Sequence, residues 1–111
     1  MTRRTSVASR ASFTTLNAKQ RKHLKGLAHH LKPVVLVGNA GVTAPLLKEI
    51  ELALGYHELI KIRLPGIGRT ERSAMLEQIC AATLADAVQE IGRVAVIYRR
   101  GEKPRIEIPA A

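Results

Sequence analysis

From Asn17 to Tyr98 the chain keeps changing its apolar rhythm, and a glycine or proline stands at nearly every change: Pro33, Gly38 to Gly41, Gly55, Pro65 to Gly68 and Gly92. Most intervals between these breaks are long enough for one helix or one strand, and the longest, from Gly68 to Gly92, has room for one of each. Stretches of helical period alternate with short β-prone runs, which predicts the order α-β-α-β-α-β-β. Strand–helix–strand units place their strands parallel. A turn as short as Gly92 joins an antiparallel pair. The expected fold is therefore α/β: a single compact domain with a four-stranded mixed sheet. The first and fourth strands are expected at its centre, the alternating strands nearer its edges.

Local signals place the elements. Asn17 is a good N-cap and Gln20 stands three residues later, an Asn form of the capping box. On a wheel of about 100° per residue, Leu24, Leu27 and Leu31 form a narrow stripe with Gln20 at its edge. Arg21, Lys32, Lys25, His29, Lys22 and Lys19 fill the opposite arc. Pro33 should end this helix, because the residue before a proline avoids the helical region. Val34-Val35-Leu36-Val37 lacks alternation and predicts a central strand buried on both faces. Thr43 should cap the second helix, with Pro45 tolerated in its first turn and Gly55 as its stop. Leu46, Leu47, Ile50 and Leu54 form its apolar side. From Glu58 to Leu64, Ile60, Ile62 and Leu64 point one way and Lys61 and Arg63 the other, a strand with one wet face. Thr70 should cap a third helix that turns Met75, Leu76, Ile79 and Ala82 inward. Strands over Val88–Ile91 and Arg93–Tyr98 follow, then a polar end in which Arg105 to Ile108 can be extended.

Charge narrows the function. The chain has 111 residues and a net charge of +9, and residues 1–32 carry eight basic groups and no acid. Such a surface attracts polyanions, nucleic acid first among them. Residues 1–15 read as a flexible basic tail ahead of a domain over 16–108, although an Arg- and Ser-rich start without acids also fits an organelle transit peptide. No window approaches the roughly 18 apolar residues of a membrane span. The three aromatics, Phe13, Tyr56 and Tyr98, leave little for a base-stacking platform, which favours reading of shape and backbone.

The most informative tetrapeptide is Gly38-Asn39-Ala40-Gly41, between a strand and a helix start. Its glycines let backbone approach a ligand, and the loop amides and helix N-terminus turn positive partial charge toward it. A GXXG loop of this kind clamps nucleic-acid backbone in KH-type modules. Enzyme signatures are missing: no Lys follows Gly41 as a P-loop requires, Gly66-Ile67-Gly68 lacks the third glycine of a dinucleotide fingerprint, and there is neither G-x-S-x-G nor H-E-x-x-H. His29 and His30 point to different sides of a helix, so no metal site is expected. His29 can meet phosphate when protonated. The lone cysteine, Cys80, reads as a structural thiol.

Several segments together resemble a known module. Leu24-Lys25-Gly26-Leu27-Ala28-His29 is followed by Leu31-Lys32-Pro33-Val34-Val35 and by Val37-Gly38-Asn39-Ala40-Gly41-Val42-Thr43. His57-Glu58-Leu59-Ile60-Lys61 comes next, then Ile91-Gly92 and Val96-Ile97-Tyr98-Arg99. In this order, over about residues 16–100, they are similar to the CRM domain, the RNA-binding module of YhbY-type bacterial proteins and of plant organelle intron-splicing factors. The resemblance implies a fold similar to the C-terminal domain of translation initiation factor three. It also implies RNA contact through Gly38, Asn39, Ala40 and Gly41, and association with precursors of the large ribosomal subunit.

The expected RNA-binding residues are then the loop with Lys19, Lys22, Lys25, His29 and Lys32 of the first helix, and Lys61 and Arg63 of the second strand. The expected protein is not an enzyme. It is a cytoplasmic monomer that uses no cofactor, no membrane and no small-molecule substrate. The competing expectation is a protein-interaction module whose basic helix docks an acidic partner.

Overall fold

A computed structural model describes residues 16–109. The elements are α1 (Ala18–Ala28), β1 (Pro33–Leu36), α2 (Ala44–His57), β2 (Leu59–Arg63), α3 (Arg69–Thr83), β3 (Asp86–Ile91) and β4 (Val94–Tyr98), in the predicted order. The tail expected over residues 1–15 lies outside the described residues.

The capping predictions hold where the signal is local. The Asn17 side chain accepts from the Gln20 amide at 2.8 Å, and the Gln20 side chain accepts from the Asn17 amide at 3.0 Å. Thr43 Oγ1 accepts from the Leu46 amide at 3.3 Å. Such a cap contributes about 1 kcal/mol by satisfying an amide that the helix leaves free. The third prediction fails by two residues: Gly68 is the N-cap of α3, without a side-chain hydrogen bond, and Thr70 falls inside the first turn. Two helix ends also differ. α1 stops at Ala28 in tight turns, His29 N donating to Gly26 O and Leu31 N to Ala28 O, before Pro33 can act. α2 runs through Gly55 to His57 and stops at Glu58, which adopts φ 65°.

The four strands lie in the order β1-β2-β4-β3, with β1 and β2 parallel and the other neighbours antiparallel. The sheet is mixed and β4 is central, as expected. The expectations for β1 and β2 are reversed. β1 is an edge strand with Val34 50% and Leu36 68% exposed, whereas β2 sits inside the sheet. The apolar run of β1 carries no mark of whether a strand will lie beyond it. The alternation of β2 records only that one of its faces is partly covered.

Helices cover both faces. On one, Leu46, Ile50 and Leu54 of α2 and Leu76 and Ile79 of α3 pack against Val35, Ile60, Ile62 and Ile97. On the other, Leu24 and Ala28 of α1 meet Leu59, Val88, Val96 and Tyr98, joined by Leu16 and the half-buried Ile106 and Ile108. Each fully buried Leu or Ile stabilises the fold by about 1.5–3 kcal/mol. The predicted α1 stripe is thus shifted: Leu24 and Ala28 are buried, whereas Leu27, on a neighbouring arc of the helix, and Leu31, beyond the end of α1, are exposed. In α3, Ala82 is exposed, while Cys80 and Thr83 are buried in its place. The segment after β4 forms no strand. It returns across α1, where Gln20 Nε2 donates to Pro109 O at 2.9 Å and His23 Nε2 lies 3.0 Å from Glu107 O.

Glu58 anchors that return. Its carboxylate is buried and accepts backbone N–H bonds from Gly101 (2.7 Å), Arg105 (3.0 Å) and Ile106 (3.0 Å). Burial pushes its pKa up, but the three amides and the nearby Arg105 guanidinium outweigh burial and hold it below its ordinary value.

Candidate nucleic-acid interface

The carboxyl ends of the parallel strands meet the β3–β4 turn at one end of the sheet. Val37 N donates to Arg63 O at 2.8 Å, and Leu64 N donates to Arg93 O at 2.6 Å. Ligands of open α/β sheets bind outside this end of the strands. The Gly38–Gly41 loop lies here, between β1 and α2. Gly41 N donates to Gly38 O at 3.0 Å and closes a turn, with Gly41 at φ +81°, a conformation glycine adopts without strain. Gly38, Asn39 and Ala40 are exposed. Among the described residues the amides of Asn39 and Ala40 have no hydrogen-bond partner. α2 starts just beyond with no acid in its first turn, so nothing there offsets the positive end of its dipole.

A groove opens between α1 and the sheet. Lys22, Lys25 and His29 line the helix side, and Lys61, Val94 and Ile91 lie on the sheet side. Four of the predicted site residues therefore surround one groove. Arg63 is exposed two residues beyond Lys61 on the same face of β2, toward the Gly38–Gly41 loop. Lys19, in the first turn of α1, and Lys32, in the link between α1 and β1, are exposed but do not line the groove. Among the described residues none of these six Lys and Arg side chains takes part in an ion pair; the pair formed elsewhere joins Arg99 to Glu51 at 2.6 Å. Their charge is left for a polyanion.

Sequence reasoning missed the apolar share of this surface, Leu36, Val94 and Ile91. The signal for them is strand register, which one sequence does not state. Cys80 is buried, and burial with the nearby Asp86 and Glu77 carboxylates pushes its thiol up to about 12, so no thiolate nucleophile forms there. Among the described residues no group of three or more His, Cys, Asp or Glu is placed to hold a metal ion, and no helix is long and apolar enough to cross a membrane.

Residues 16–99 match the family model of the CRS1/YhbY (CRM) domain. The chain belongs to this family. A Haemophilus influenzae protein named as RNA-binding is 47% identical over 87% of the chain and 98% of its own length. A Pseudomonas aeruginosa protein named as a probable RNA-binding protein is 45% identical over 80% of the chain and 86% of its own. The solution structure of a hypothetical protein from Staphylococcus aureus superimposes with a TM-score of 0.76 at 33% identity, covering 86% of this CRM chain and all of the other. The names of these relatives are those of RNA-binding proteins and not of enzymes, in line with the expectation from the missing catalytic motifs.

Proposed function

We propose that this CRM domain binds RNA on precursors of the large ribosomal subunit in the cytoplasm and acts in their assembly. The observation that carries RNA binding is the surface itself: cations from α1 and β2, in no ion pair among the described residues, line a groove on the face that leads to a loop with two amides that have no acceptor among those residues. The names of the relatives support the same ligand. Lys22, Lys25 and Lys61 neutralise phosphates and His29 joins them when protonated, with Lys19 and Lys32 extending the field along the helix. Arg63 carries the path to Gly38–Gly41, where amides of a tight turn and the α2 N-terminus receive a further phosphate. The ribosomal partner is what the CRM resemblance implies.

The test is ultraviolet crosslinking of the tagged protein in cells, followed by sequencing of the attached RNA. Reads piled on one region of large-subunit ribosomal RNA are the expected result. Reads spread over messenger and transfer RNA would leave a general RNA binder and remove the assembly role. No crosslinked RNA above background would sink RNA binding itself.

A further inference from the structure

Strand register aligns one row of residues across all four strands at the open end of the sheet. Leu36 of β1 pairs with Arg63 of β2, Arg63 with Val94 of β4, and Val94 with Ile91 of β3. Directly paired residues share a face. That face is the one α1 covers, since Val96, two residues from Val94, packs beneath α1. α1 does not reach this row: Leu36 is 68% exposed, Ile91 is 63% exposed, and Arg63 is exposed between them. One face of a sheet thus offers aliphatic surface with a guanidinium in its middle, and Lys61, Lys25 and His29 stand beside it.

We infer that Arg63, flanked by Leu36 and Val94, is a platform on which an unpaired RNA base stacks. The inference rests on the RNA reading above and goes further, because phosphate contacts alone would not distinguish single strands from duplex. A guanidinium plane stacks on a base as an aromatic ring does, so a chain poor in aromatics still has a surface for a base. Aliphatic neighbours desolvate the other side of the stack and hold the guanidinium flat. The surrounding cations decide between occupants. An apolar row bordered by positive charge that forms no ion pair among the described residues fits a strand whose bases are flat and apolar and whose backbone is anionic. A neutral apolar peptide gains nothing from that border.

The experiment uses the full chain and two probes at low salt: a short single-stranded oligoadenylate, and the same strand with its bases replaced by abasic sites. Both carry the same phosphates. The wild-type chain should bind the base-bearing strand about tenfold more tightly, the effect of one stacked base. Arg63→Lys keeps the charge and loses the plane, so it should weaken the base-bearing strand far more than the abasic one and remove most of that difference. Leu36→Ser, at an exposed position where misfolding is not a concern, should reduce the difference in the same direction. Equal affinity of the wild-type chain for both strands, or an Arg63→Lys chain that still tells them apart, overturns the platform and leaves the RNA reading standing. No binding to either strand overturns both. Lys25→Ala should weaken the two strands alike, as a phosphate contact does.

Discussion

At the Glu58 end of the sheet a buried carboxylate takes three backbone N–H groups, whereas at the Gly38–Gly41 end, among the described residues, the amides of Asn39 and Ala40 have no acceptor. Several basic side chains differ in the same sense. Near Glu58, Arg99 is tied to Glu51 and donates to Thr83 O, and Arg105 donates to Tyr56 O. At the other end Lys61 and Arg63 pair with no carboxylate among the described residues. Buried polar groups must be paired or they cost stability, while exposed polar groups left unpaired are what a ligand can use. One end of this CRM domain therefore fastens the chain, and the other is open for a partner. Substitutions at the two ends should separate stability from binding.

The largest effect is expected from Glu58→Gln. The amide keeps one acceptor oxygen but loses the charge and sets an N–H₂ against a backbone donor. Hydrogen bonds to a buried charged group are each worth about 1.5–3 kcal/mol, so a loss of about 3 kcal/mol is expected. At about 4–8 °C per kcal/mol for a domain of this size, the thermal midpoint should fall by more than about 10 °C. RNA affinity measured well below that midpoint should be that of the wild type. An unchanged midpoint, or a folded variant that has lost RNA, would erase the distinction between the two ends.

The same carboxylate sets a pH dependence. Its folded pKa is depressed below the ordinary value of 4.5, so its contribution is fully present above that pH. It is lost as the pH falls through the folded value, because the unfolded chain takes up the proton first. Denaturation midpoints measured from neutral pH downward should fall more steeply for the wild type than for Glu58→Gln. Parallel curves would show that the three amide bonds add nothing to the ionised form.

At the open end the next largest effect is Gly38→Asp, expected to weaken RNA binding about tenfold at low salt by setting a carboxylate against phosphate. Stability should move by no more than about 0.5 kcal/mol, since a Cβ at Gly38 meets nothing within 4 Å. Gly41→Asp should also weaken binding, but at φ +81° it adds backbone strain of about 1 kcal/mol. Gly38 is therefore the cleaner probe. Unchanged affinity in both variants, measured by anisotropy of labelled RNA, would remove the loop from the interface.

The two ends also differ in how far they could be read from the sequence. Caps at Asn17 and Thr43 were legible because donor and acceptor stand three residues apart. The basic face of α1 was legible because helical period groups Lys22, Lys25 and His29 without help from the rest of the chain. Alternation in β2 put Lys61 and Arg63 on one face, but only cross-strand register adds Leu36, Val94 and Ile91 to Arg63. Glu58 was illegible as an anchor: its partners lie 43 to 48 residues later, and nothing nearby marks a carboxylate as buried. It is also why Gly55 misled. The stop at Glu58 is enforced by tertiary contacts that hold a non-glycine residue at φ 65°. The exchange of β1 and β2 between edge and centre has the same origin, since a four-residue apolar run reads alike in either place.

The smallest effect is the sharpest test of the division, because it compares two equal changes of charge. Lys25→Ala removes a cation lining the groove, and Lys103→Ala removes an exposed cation near Glu58. Both lower the net charge by one. If RNA binding answered only to overall charge, the two variants would respond alike to salt. If binding is by contact, each phosphate neutralised on a single strand adds about 0.7 to the slope of log affinity against log salt. Lys25→Ala should then lose about 0.7 of slope, while Lys103→Ala keeps the wild-type line. Equal slopes for the two variants would mean that the chain attracts RNA as a diffuse polycation, and that the groove beside α1 is no privileged path.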